Sequence, residues 1–261
     1  MMDRTSIIGI ILGILAIGVG MFLKGVGMIA LFNPAALLII FAGTIAAVLI
    51  AFPMSSIKKI PDLIKVIFTE KKENDIPTLI EMFSEWAELT RREGILALEQ
   101  KLSEIDDPFL LSGVQFVIDG QNPEFIREVM LEKIEAMEDR HEEGAAIFSQ
   151  AGTYAPTLGV LGAVVGLISA LGNMEDMAVL GEAISAAFIA TLLGIFTGYV
   201  LWHPFANKLK EKSKKEVQVK EIMIEGILSI TIGESSIVVR DKLGSYLSTK
   251  ELANIARDSN A

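Results

Sequence analysis

The sequence predicts an all-α polytopic membrane protein with four transmembrane helices and a helical cytoplasmic domain. Three observations lead there. Apolar residues make up 51% of the 261-residue chain and charged residues 21%, and the two kinds are segregated into long uncharged runs and charge-dense blocks. Four of the uncharged runs are long enough for the roughly 20 residues that cross about 30 Å of hydrocarbon. Acid is concentrated in one block: residues 54–143 hold 21 of the 33 Asp and Glu but 11 of the 23 Lys and Arg, which accounts for the whole net charge of −10.

The first run, Thr5 to Leu23, lies between Arg4 and Lys24. A signal peptide is the rival reading, but no small-residue cleavage site follows and a second span comes at once. That second run, Pro34 to Phe52, opens with a proline suited to a first helical turn and stops before Pro53. Within the acidic block, Thr78 to Glu104 reads as a pair of amphipathic helices. Leu79, Met82, Phe83, Trp86 and Leu89 form the apolar stripe, and Gly94 breaks or tightens the turn between Arg91, Arg92, Glu93 and Glu99. Asp107-Pro108 and Asn122-Pro123 mark further helix starts.

The third run is uncharged from Gly144 to Met174. The fourth, Ala183 to Trp202, is opened by Glu182 and closed by the interfacial aromatics Tyr199, Trp202 and Phe205. The stretch KLKEKSKKEVQVKEIMIEGILSI continues as a helix, a shorter helix follows Gly233, and the final RDSNA is expected to be disordered. The organisation is thus spans one and two in 1–53, a cytoplasmic helical domain in 54–143, spans three and four in 144–205, and cytoplasmic C-terminal helices and tail in 206–261.

Orientation follows from basic residues near the helix ends. Arg4, Lys58, Lys59, Lys65, Lys133, Arg140, Lys208, Lys210, Lys212, Lys214 and Lys215 lie on one side, against Lys24 on the other. Both termini and the acidic block are expected to be cytoplasmic, in a multi-pass protein of the cell membrane.

Composition also removes function classes. There is no cysteine, and His141 and His203 sit in no ligand-spaced cluster, so no metal or other cofactor is expected. The acidic balance argues against nucleic acid as a partner. No phosphate-binding loop, nucleophile elbow or zinc-protease motif is present, and the chain is not read as an enzyme.

Spans three and four differ from the Ile- and Leu-rich first two. Gly152, Ala155, Gly159, Gly162, Ala163 and Gly166 line the third, and Ala186, Ala190, Gly194 and Gly198 follow one another at spacings of four in the fourth, beside Ala183, Ala187 and Thr191. Small residues let backbones approach where lipid provides no hydrophobic drive, so these spans should face protein. Pro156 cannot donate to the carbonyl of Gly152, which then needs another partner; hydroxyls of Thr153, Thr157 and Thr191 are candidates. Pro204 does the same to the carbonyl of Val200 if the helix continues through it. No Asp, Glu, Lys, Arg or His lies within the four uncharged runs. Intramembrane ion sites usually rely on such groups. Either the chain conducts nothing, or a partner helix supplies the carboxylate.

The passages AGTYAPTLGVLGAVVGLI, AAFIATLLGIFTGYVLWHPFANKLK, FSEWAELTRREGILALE and MEDRHEEGAAIF, with the order of two spans, a cytoplasmic block, two spans and a tail, resemble the MotA/PomA family of flagellar stator proteins within the MotA/TolQ/ExbB superfamily. The Gram-positive members are the most similar, and the resemblance covers nearly the whole chain. It implies a homo-oligomer, five copies around two of a MotB-like single-span protein whose Asp binds the ion. Ion-path and coupling residues carried over by motif are Pro156, Thr191 and Pro204. The pair facing the rotor switch protein falls on Arg91 and Glu99, with Arg92 adjacent. Sodium-driven relatives carry a threonine where this chain has Ala163, in Gly162-Ala163-Val164-Val165-Gly166-Leu167. The missing oxygen implies H+ rather than Na+ as the transported ion. Two other readings are a non-motility energiser resembling ExbB or TolQ, from which the RREGILALE segment and the fourth span depart, and a scaffold that conducts nothing.

Overall fold

Helix starts in this chain are written locally. Asn33 before Pro34, Asp107 before Pro108 and Asn122 before Pro123 each accept a hydrogen bond from a backbone N–H of the helix they open, at 3.0, 2.7 and 2.8 Å. An Asx side chain satisfies one of the orphan donors of the first turn, and the proline that follows has no N–H to leave unsatisfied. The computed structural model describes residues 3–70, 76–172 and 174–247, and among them the regular elements are helices joined by short turns. The expectation for the final RDSNA lies outside the described residues.

Four helices are long and apolar enough to cross a membrane: Arg4–Leu23, Met28–Ala51, Pro123–Leu171 and Met177–Thr231. The last two are 49 and 55 residues long, far more than one span needs, so each continues well beyond its apolar stretch. The fourth begins earlier than the sequence suggested. Asp176, not Glu182, opens it, accepting from the N–H groups of Ala178 and Val179, and Glu182 lies inside the helix on an exposed face.

The chain divides into two units, one from 1–71 with 140–211 and the other from 72–139 with 212–261. In the first, the second span packs on the third through Val48, Ile147 and Ala151, and through Gly43, where a methyl group would lie 3.1 Å from the Leu158 side chain. The first span touches the fourth at Gly13 and Val200, and Met21 is its one buried residue. The short helix Ile60–Phe68 lays Ile67, fully buried, against Ala145, Phe148, Ala206 and Leu209, with Phe68 edge-on to Phe205 at 5.7 Å.

The second unit has a water-type core. Leu79, Ile80, Phe83, Trp86, Val114, Ile126, Met130, Ile222, Ile227 and Leu243 are all nearly or fully buried in one cluster. Phe83 meets Trp86 edge-to-face at 5.5 Å. Glu225 joins the rim of this cluster by accepting from Arg127 at 2.8 Å and Lys242 at 3.1 Å. The expected amphipathic pair is an α-helix, Ile76–Glu93, and a 3-10 helix, Ile95–Glu104. Gly94 separates them at φ +87°, a conformation open to glycine and costly to most residues. The shorter helix expected after Gly233 is Ser236–Gly244, capped by Ser235.

Candidate functional site

The expected small-residue seam between spans three and four is a contact of backbone on backbone. A methyl group at Gly159 would stand 2.8 Å from the Ala190 carbonyl oxygen, and one at Gly194 would stand 2.7 Å from the Ala155 carbonyl oxygen. Both distances are too short for any side chain. Further along, Gly162 faces the Ala190 methyl at 3.2 Å and Gly166 faces that of Ala187 at 3.1 Å on the same measure. Ala187, on the same face as Ala190 and Gly194, contributes where the strict four-residue spacing alone would have pointed to Ala186, which is half-buried. Ala163 lies beside this seam, half-buried.

Pro156 sits on the seam too. The helix Pro123–Leu171 runs through it, and its ring lies against Gly198, where a methyl group would come within 2.7 Å of the ring and of the Gly152 carbonyl oxygen alike. That carbonyl is the one Pro156 leaves without its usual donor. None of the three threonines expected near it turns towards it. Thr153, Thr157 and Thr191 donate to the carbonyls of Ser149, Thr153 and Ala187, each four residues back in its own helix. The carbonyl four residues back in its own helix is always within reach of a helical threonine, and each of the three uses it. The Gly152 carbonyl instead faces the Cα of Gly198, a weak but recurrent kind of contact between close helices.

Directly opposite Pro156 the fourth span itself changes form. Residues Thr197–Trp202 make a π-turn, and the N–H of His203 reaches back five residues to the carbonyl of Gly198. The next position is Pro204, which has no N–H to offer. The register shift therefore falls where a helical hydrogen bond is missing in any case. Helix His203–Thr231 then continues through Pro204, as the sequence reading required for the proline to free a carbonyl. Thr191, half-buried, lies two turns deeper on the same span. The imidazole of His203 packs on Gly152, and its ring centre is 5.3 Å from that of Tyr199.

The charged candidates belong to the other unit. Arg91 and Arg92 occupy the last turn of Ile76–Glu93 and Glu99 lies on the 3-10 helix; all three are exposed. Arg92 is 3.8 Å from Glu88 in a loose surface pair. Among the described residues no hydrogen bond or ion pair engages the side chains of Arg91 and Glu99, so both charges are presented outward. Beside Arg91 lies a cavity of about 450 Å³ lined also by Ile95, Ile230 and Ile232, which the charge pattern did not foretell.

Two polar clusters at the ends of the spans also went unnoticed in the sequence. The Ser56 hydroxyl and the Lys59 amine hold the Glu143 carboxyl below its ordinary value, with Lys59 at 3.3 Å. Asp3, capping the first span, pairs with Lys208 at 2.7 Å. An acid two residues before Thr5-Ser6 at a span's start was the available signal, but its partner lies 205 residues away.

Residues 7–94 match the family described as Motility protein A N-terminal, and residues 101–222 match the MotA/TolQ/ExbB proton channel family. The chain is 62% identical to Motility protein A of Bacillus subtilis (strain 168) over 260 residues, covering 100% of this chain and 96% of that one. It superposes on a chain of the flagellar MotAB stator complex from Bacillus subtilis with a TM-score of 0.91 at 62% identity, covering 96% of this chain and 99% of that chain. With C. jejuni MotAB the TM-score is 0.90 at 31% identity, covering 95% and 97%.

Proposed function

This chain belongs to the motility protein A family, within the MotA/TolQ/ExbB proton channel family, and on that premise we propose that it is the ring-forming, ion-conducting subunit of a flagellar stator whose titratable carboxylate comes from a MotB-like partner. The observation that carries the reading is the seam. Spans three and four touch backbone to backbone from Gly166 to Gly152, Pro156 and the π-turn face each other across it, and the uncharged runs offer no acid of their own.

Five copies surround two partner helices, with spans three and four inward. A proton entering from outside neutralises the partner's Asp, whose charged form costs about 2.5–3.5 kcal/mol in a helix at mid-membrane. Neutralisation alters the packing of that helix against the surface carrying Pro156, Ala163 and Thr191, and the ring turns stepwise. One charge crossing about 100 mV supplies about 2.3 kcal/mol, enough to repack a small-residue contact. Arg91, Arg92 and Glu99 then engage the rotor switch protein, as rim charges that set register more than affinity. Both termini face the cytoplasm, in keeping with the basic residues gathered at one end of the spans. The ion is H+, because Ala163 offers no oxygen where sodium-driven relatives have threonine.

The test is co-production with the partner in a non-motile strain lacking its own stator. Swimming and proton uptake by membrane vesicles should both appear, and both should fall when the partner's Asp is changed to Asn or when Thr191 is changed to Val. Strict dependence of swimming on external sodium would overturn the choice of ion. Proton uptake by this chain without its partner would overturn the division of labour.

A further inference from the structure

Among the described residues Asp3 is the one charged residue that is buried, at 2% exposure. A buried carboxylate is stable only when its oxygens are paired, and these are. One oxygen lies 2.7 Å from the Lys208 Nζ; the other accepts from the Thr5 hydroxyl at 2.7 Å and from the Ser6 N–H at 3.2 Å. Lys208 also donates to the Thr5 hydroxyl at 3.0 Å, and the Asp3 N–H donates to the Phe68 carbonyl at 2.9 Å. One residue therefore caps the first span, closes the end of the helix Ile60–Phe68, and holds the fourth span one turn beyond Pro204.

Burial alone would raise the Asp3 carboxyl, but the bonds from Lys208, Thr5 and Ser6 outweigh it and keep the group well below the usual carboxylate range. The Asp3 carboxylate stays charged at any cytoplasmic pH. It is a fixed point.

The segment it holds is the least regular part of the fourth span. Above, Gly194 is pressed onto Gly159 and the Ala155 carbonyl. Below, Lys208 is tied to Asp3. Between them lie the π-turn Thr197–Trp202 and Pro204, where helical bonding is weakest. Beside that segment, between the first and fourth spans, is a cavity of about 400 Å³ bordered by Gly9, Ile10, Val200 and Pro204. A soft segment with space next to it and a clamp at each end is arranged to flex in one place.

We propose that Asp3 and Lys208 are positioning residues for ion conduction: they pin the cytoplasmic end of the fourth span to the first, so that displacement at the Pro156–Gly198 contact, itself part of the turn Thr197–Trp202, is taken up within that turn. This rests on the ion-path reading above. The pair touches no ion; it determines where the fourth span bends.

Asp3→Asn is the primary test, because Asn caps a helix as well as Asp and only the charge is lost. Lys208→Gln removes the other half at a position 29% exposed, which keeps the question open if Asp3→Asn lowers assembly. Lys208→Arg restores the pair. Each variant of the full chain is co-produced with the MotB-like partner, the assembled complex is quantified, and proton uptake is measured per complex. Asp3→Asn and Lys208→Gln should each lower uptake per complex about tenfold, within the range of a coupling between separate sites. The double variant should be no worse than either single one, and Lys208→Arg should stay within about twofold of the unmodified complex. Unchanged uptake per complex in Asp3→Asn and Lys208→Gln would overturn the proposal, and so would a loss explained wholly by the amount of complex. If the unmodified complex took up no protons, the channel reading would fall and the anchor with it; normal uptake in unmodified complex and variants alike would remove the anchor alone.

Discussion

The two units of this chain hold their helices together in opposite ways. In the unit of 72–139 and 212–261, large side chains fill the space between helices: Phe83 over Gly226, Met130 and Ile227 over Gly113. Water drives that packing, and its strength grows with the apolar area covered. In the unit of 1–71 and 140–211, the central seam works by leaving side chains out. Lipid gives no reward for covering leucine, so close helices are gained by backbone contact and dispersion alone. The lesson is that mutational sensitivity should change sign between them: enlarging residues breaks one, shrinking them breaks the other.

The largest effect should come from Phe83→Ala. Emptying a site with no exposure beside Trp86 costs about 3–5 kcal/mol. Circular dichroism should show a lower melting temperature for the purified chain, and Gly226→Ala in the same background should recover part of the loss by refilling the space over Gly226. Next is Gly194→Ala, where one methyl would meet the Ala155 carbonyl oxygen at 2.7 Å. Overpacking at about 1–3 kcal/mol should part the seam and abolish swimming, read on soft agar with the membrane level of the protein as control. Ala190→Gly, which only removes a methyl from the same seam, should keep motility.

A smaller effect separates the ion pair from both kinds of packing. The Asp3 carboxyl is held below its ordinary value, so its contribution is complete above the unfolded value of about 3.9 and lost only as pH falls towards the folded one. The gap in thermal stability between the unmodified complex and Asp3→Asn should therefore be constant between pH 5 and pH 8, and should shrink below about pH 4. The smallest effect is Thr44→Val. Its hydroxyl is buried in the second span and has no hydrogen-bond partner among the described residues, so an apolar replacement of the same shape should be neutral or stabilising by up to about 1 kcal/mol. Loss of stability there would reveal a partner for Thr44 in the assembled protein.

Legibility from sequence followed the same division. Span number, the proline-opened helix starts and the break at Gly94 depend on residues within a few positions of each other, and all were readable. The seam was readable as a tendency, because glycine and alanine declare close approach without saying to what; Ala187, rather than Ala186, was settled only by the partner helix. The π-turn before Pro204 was not readable, since a proline allows a shifted register but does not impose one. Nor was the 3-10 form of Ile95–Glu104, whose apolar spacing suits an α-helix as well. The threonines near Pro156 were assigned to the wrong acceptor because their own helix competes for them. Asp3 and Lys208 could not be paired at all: ion pairs between distant segments leave no spacing in the chain.

A wide turn stores one residue more than an α-turn needs. If Thr197–Trp202 tightened to α-form, everything on one side of it would rotate by about 100° relative to the other side and move away by about 1.5 Å. The size of such a step would be fixed by helix geometry and not by side-chain chemistry. Deleting Leu201 would use up the stored residue while leaving the upper and lower halves in their present orientation, giving a chain with both clamps intact and nothing left to unwind.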